Sequence, residues 1–132
     1  MSDLLLHHAQ PIEAALVLAT DEPQALARFY AALVDGSAVP GFSGSHWRVP
    51  LPGMGWLELY RPSRQRPVAR GRGRLALCLK QQGDGEALQR WMQQAIALGA
   101  QRLDGPRQEP FGSEAWLLDP EGNGLLLLVS AS

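Results

Sequence analysis

The stretch LLDPEGNGLLLLVS, Leu117 to Ser130, decides how the rest of the chain is read. Pro120 fixes φ at the first corner of a turn, and Gly122 and Asn123 tolerate the left-handed region that a tight hairpin needs. A run of apolar residues without a charge follows, Leu125 to Val129, which is the composition of a buried strand. The stretch therefore reads as strand, hairpin turn and strand. Asp119 is expected as a turn residue, not as a catalytic acid.

The hairpin closes the second of two halves that repeat one order of elements. The apolar run at 14–19 is a strand, and Thr20 or Asp21 is expected to cap a helix with Pro23 in its first turn. Leu26, Phe29, Tyr30, Leu33 and Val34 then form one apolar stripe, and Asp35-Gly36 stops the helix. Short strands fit between 37 and 60, separated by GFSGS and PLPGMG and ending in the alternating GWLELY. RLALCLK at 74–80 opens the second half, with Asp84 as a helix cap and Leu88, Trp91, Met92, Ala95 and Gly99 on one helical face. Strands at about 100–103, 113–118 and 124–129 complete it. Each half is βαβββ. The modules run from about 12 to 61 and from 74 to 129, joined by an arginine-rich linker at about 62–73, within a single domain over 1–132.

Composition narrows the function classes. Apolar residues make up 45% and charged residues 19% of the 132, which is globular. A formal net charge of −1 gives no global attraction to nucleic acid or to an anionic membrane, so neither is expected as a partner. Cys78 is the only cysteine, which excludes an intramolecular disulfide and a cysteine-based metal cluster. No run approaches the roughly 20 apolar residues of a membrane span. The start, MSDLLLHHAQP, lacks the basic-then-apolar order of a secretory signal, so a reducing cytoplasm is expected. The segment RPSRQRPVARGRGR holds 6 of the 12 basic residues with no aromatic to stack on bases. It reads as a solvated connection or as a docking site for an acidic partner.

Three motifs carry a resemblance: FYAAL at Phe29–Leu33, ALGAQ at Ala97–Gln101 and LLDPEGNGLLLLV at Leu117–Val129. With them the chain resembles the vicinal oxygen chelate superfamily, the glyoxalase/bleomycin-resistance/dioxygenase proteins, from about Ile12 to Val129. The resemblance implies an α+β fold: two βαβββ modules forming an eight-stranded half-open barrel, with helices outside and a ligand cavity inside. It also implies a metal ligand on the first and last strand of each module. Carried over, those positions are Ala15, Glu58, Arg74 and Leu126. Glu58 alone has a donor atom suited to a divalent ion, since Arg has no lone pair to give. A two-residue slip of the first strand brings in Glu13 and still leaves an incomplete set. The charge missing from GLLLLV is the missing metal ligand, and neither metal nor cofactor is expected.

Strand alternation sorts the cavity lining. Trp56, Glu58 and Tyr60 share one face; Arg74, Ala76, Cys78 and Lys80 share another; Leu126 and Leu128 point inward. The facing of His46, Arg48 and Trp116 depends on a register that sequence leaves open. The expected cavity is apolar and aromatic, with Glu58 and Arg74 as charged anchors and Trp56, Tyr60, Leu126 and Leu128 as lining. Glu58 and Arg74 admit three readings: an internal ion pair, a guanidinium fork for a carboxylate or phosphate, or Glu58 as a general base. Cys78 reads as packing and His7-His8 as surface. The function implied is binding of a small, anionic organic molecule, metal-independent, by a homodimer. The alternatives are a glyoxalase-like lyase or dioxygenase-related enzyme with a displaced ligand set, and a protein-binding module that uses the linker.

Overall fold

The computed structural model describes residues 15–64 and 76–131. The first module holds β1 (Ala15–Ala19), α1 (Pro23–Leu33), β2 (Val39–Pro40), β3 (His46–Leu51) and β4 (Gly55–Tyr60). The second holds β5 (Ala76–Gln82), α2 (Gly85–Ala97), β6 (Gln101–Glu109), β7 (Gly112–Leu118) and β8 (Gly124–Ser130). The strands form two four-stranded mixed sheets, ordered β1-β4-β3-β2 and β5-β8-β7-β6. In each, the first strand pairs parallel with the last and the others pair antiparallel. The two sheets do not close on one another, and this α+β pair of modules is the expected half-open arrangement.

Alternation decides which face of each sheet is covered. In GWLELY, Leu57 and Leu59 are fully buried, whereas Trp56, Glu58 and Tyr60 are half-buried on the opposite face. Helix α1 covers the leucine face of β3 and β4 with Leu26, Phe29, Tyr30 and Leu33. In β8, Leu125, Leu127 and Val129 are buried and Leu126 and Leu128 lie on the open face. Helix α2 packs over that sheet with Leu88, Met92 and Ala95. Buried residues of both modules belong to one core cluster. Among the described residues, no helix is long and apolar enough to cross a membrane.

The helix ends show the duplication in detail. After α1 the amide of Gly36 donates to the carbonyl of Ala31 and that of Asp35 to Ala32, with Asp35 at φ 57°. After α2 the amides of Ala100 and Gly99 donate to Ala95 and Ile96 in the same pattern. Both are Schellman endings, with a left-handed residue where the sequence reading had its helix stops. The helix starts differ. Asp84 caps α2 as expected, accepting from the amide of Ala87 at 2.9 Å. Neither Thr20 nor Asp21 caps α1; the N-cap is Glu22, whose own side chain makes no capping bond.

That helix start is served from the other module. Glu121, in the β7–β8 turn, accepts the amides of Asp21 at 3.0 Å and Glu22 at 3.2 Å and the hydroxyl of Thr20. A carboxylate at the positive end of a helix is favourable as well as a hydrogen-bond acceptor. Nearby, the hydroxyl of Tyr30 donates to Asp119 at 2.7 Å, both groups being buried. The other oxygen of Asp119 accepts the amides of Glu121 and Asn123 within its own turn. Asp119 is thus the turn residue that was expected, and it also joins the modules.

Strand β6 departs from expectation. It runs for nine residues, Gln101–Glu109, instead of stopping near 103. Its pairing with β7 shifts register between Arg102 and Asp104 and again between Asp104 and Arg107. Nearly all of it is exposed at the sheet edge, so it lacks the apolar alternation that marks a strand in sequence.

Candidate functional site

The open face of the first sheet gathers its polar residues by register alone. The turn at Pro52–Met54 sets Leu51 against Gly55, which places Arg48 opposite Glu58 and His46 opposite Tyr60. Parallel pairing then sets Val17 beside Glu58 and Ala15 beside Trp56. Val17, Pro40, Phe42, His46, Arg48, Glu58, Tyr60 and Arg61 line a cavity of about 830 Å³, together with Gly41, Ser43 and Ser45.

Glu58 is the hub. Its Oε1 accepts from His46 Nε2 at 2.7 Å, and Arg48 Nε donates to its two oxygens at 3.1 and 3.0 Å. The tautomer of His46 follows from its other partner. The amide of Phe42 donates to Nδ1 at 2.9 Å, so Nδ1 carries no proton and Nε2–H is the donor to Glu58. The Arg48 guanidinium lies 4.1 Å from the centroid of the Trp56 ring, a cation–π stack that fixes its plane. Its terminal nitrogens have no hydrogen-bond partner among the described residues. Phe42 is 98% exposed and stacks on His46 with centroids 5.5 Å apart and planes 21° from parallel. Gly41 makes room for the imidazole: a Cβ there would overlap the His46 ring.

The expected site residues divide into groups. Glu58 and Tyr60 line the cavity, while Trp56 backs Arg48 from the same sheet face. Leu126 and Leu128 lie on the second sheet, paired with Trp116 and Glu114 in β7 and with Cys78 and Lys80 in β5. They do not line this cavity. Trp116 shares their open face, since Ala115 and Leu117 on either side of it are buried. Arg74 and Glu13, like His7 and His8, lie outside the described residues. His46, Arg48 and Phe42 were the residues that sequence did not assign. The three-residue turn between Leu51 and Gly55 was the signal that could have fixed the first two. Phe42 sits in GFSGS, where turn punctuation masked it.

Cys78 is exposed on edge strand β5, beside a second cavity of about 800 Å³ between β5, α2, the end of α1 and the β3–β4 turn. Partial desolvation pushes its thiol above the ordinary range; Lys80 pulls it down and Glu114 pushes it up. It is therefore a poor nucleophile near neutrality.

Among the described residues, the side chains at the superfamily's ligand positions do not fit its metal. Ala15 and Leu126 offer no donor, nor does Val17 beside Glu58. Both oxygens of Glu58 face a guanidinium, which would repel a divalent cation. Among the described residues, no group of three or more His, Cys, Asp or Glu is placed to hold an ion.

A family model described as a glyoxalase-like domain matches residues 15–128. No curated protein sequence matches significantly. Several solved structures share the fold at low identity. A glyoxalase/bleomycin resistance protein/dioxygenase family enzyme from Burkholderia phytofirmans PsJN is 17% identical, with TM-score 0.74, covering 88% of this chain and 96% of that one. A lactoylglutathione lyase from Agrobacterium tumefaciens is 20% identical, with TM-score 0.63 and coverage of 92% and 97%. The antibiotic binding protein TnmS3 from Streptomyces sp. CB03234 is 23% identical, with TM-score 0.65 and coverage of 94% and 99%.

Proposed function

Since the chain belongs to the glyoxalase-like domain family of the vicinal oxygen chelate superfamily, we propose that it binds a small organic anion in the cavity of its first sheet, without a metal ion. One observation carries this reading. Glu58 is engaged at both oxygens by Arg48 Nε and His46, while the terminal nitrogens of Arg48 have no partner among the described residues. A guanidinium held by Nε and by an indole face has its remaining edge preorganised for a carboxylate or phosphate. Arg48 thus takes the anchoring part that sequence gave to Arg74. The charged lining residues, Arg48 and Arg61 against Glu58, leave one net positive charge, which favours an anion.

Binding is preferred to lyase chemistry for a specific reason. A general base needs a free lone pair within reach of substrate. Both nitrogens of His46 are engaged, so it has no lone pair to offer, and the Glu58 carboxylate is committed to orienting His46 and Arg48. The antibiotic-binding neighbour is therefore the nearer analogy than the lactoylglutathione lyase.

A thermal-shift screen of small carboxylates and phosphates tests the reading. Hits should raise the melting temperature of wild type and leave Arg48→Met unmoved. Equal shifts in both would remove Arg48 as the anchor, and no hit would remove the function. Stoichiometric metal in protein purified without chelator, lost in Glu58→Gln, would overturn the metal-free reading.

A further inference from the structure

Resting on that reading, we infer that the cavity selects planar aromatic carboxylates, with Phe42 as the platform for the ring and Arg48 as the fork for the carboxylate. Phe42 is the most exposed large apolar side chain among the described residues. Its ring lies nearly parallel to that of His46 with almost all of its surface left open, and the residue lines the cavity. A flat apolar face in that position gains from a second ring laid against it, beyond the area it covers. A saturated ring of the same size covers similar area without that gain.

The platform and the fork belong to one frame. The backbone of Phe42 is tied to His46 by its amide on Nδ1, and its ring stacks toward the imidazole. His46 is fixed to Glu58, and Glu58 to Arg48, whose plane is set by Trp56. The chain Phe42–His46–Glu58–Arg48 therefore links ring site and anion site across one sheet face, with Arg48, His46 and the Phe42 backbone already placed before binding. Tyr60, across from His46, adds a further aromatic wall. His46 acts here as a positioning residue.

Titration calorimetry with 2-naphthoate and its saturated counterpart, decahydro-2-naphthoate, separates this inference from the reading beneath it. Wild type should bind the aromatic acid about 2- to 12-fold more tightly, the range of a single aromatic contact. Phe42→Leu, a change at an exposed side chain, should bring the ratio down toward one, whatever it does to the affinity for each acid alone. If wild type binds both acids equally, the aromatic selectivity is wrong and anion binding stands. A ratio that survives in Phe42→Leu overturns the role of Phe42. If neither acid binds, both proposals fail.

Discussion

Gly41 and His46 show how much of the site hangs on single residues. The imidazole lies where a Cβ at position 41 would be, and from there it accepts the Phe42 amide and donates to Glu58. Gly41→Ala must displace the ring and break both bonds, at a cost of about 1–3 kcal/mol in stability. Nitrogen-15 NMR of the imidazole checks this: wild type should show the Nε2–H tautomer of His46, and the variant should lose that fixed signature. Cys78 gives a second test at this scale. With its thiol pushed up by desolvation, it stays protonated near neutrality, so iodoacetamide should alkylate it more slowly than a small free thiol at pH 8. The difference should close as pH rises beyond the shifted value; equal rates at pH 8 would mean the thiol is not desolvated. Sequence placed Glu58 and Tyr60 on the open face because alternation in GWLELY is complete. It could not place His46 and Arg48, because HWRVPL alternates only once its partner strand is known.

The elements carry their own lesson in the contact between α1 and the β7–β8 turn. The motifs FYAAL and LLDPEGNG, read separately as a helix stripe and a hairpin, meet through Tyr30 and Asp119. Glu121 in the same turn serves the start of α1, where Pro23 has no amide to offer and Glu22 makes no cap of its own. No local signal in the sequence could announce that cap, since the donor amides and the acceptor lie some hundred residues apart. Tyr30→Phe keeps the ring and its packing and removes only the hydroxyl. It should cost about 1.5–3 kcal/mol, the value of a hydrogen bond to a charged group. Chemical denaturation measures it, and an unchanged midpoint would show that the Tyr30–Asp119 bond contributes nothing to holding the modules together. The extension of β6 was illegible for the opposite reason. An exposed, bulged edge strand needs no apolar period, so the residues past 103 carry no strand signal although they pair with β7 as far as Glu109.

At the scale of the molecule, the two sheets leave more open than one chain covers. Strands β1 and β5 sit at the ends of their sheets with one neighbour each. An unpaired strand edge is a template for another chain unless it is blunted by charge, proline or a covering element. On β5 the side chains near that edge include Cys78 and Lys80; on β1 the exposed Ala15 and Val17 carry no charge at all. The open faces add apolar and aromatic surface: Val17 and Phe42 on the first, with Trp116, Leu126 and Leu128 half-buried on the second. Surface of this kind, contiguous with a cavity, is commonly closed by a second copy about a two-fold axis, because each copy then covers the other's equivalent face. A homodimer that set the second sheet of one protomer over the first sheet of the other would give Leu126 and Leu128 the lining role that sequence expected of them. The expected mass by light scattering at tens of micromolar is therefore about 29 kDa, twice the 14.4 kDa of the chain. Val17→Glu, a change at an exposed side chain, should shift that mass toward the monomer by setting like charges against each other across the axis. A monomer mass for wild type would mean that one chain's own residues complete the cavity.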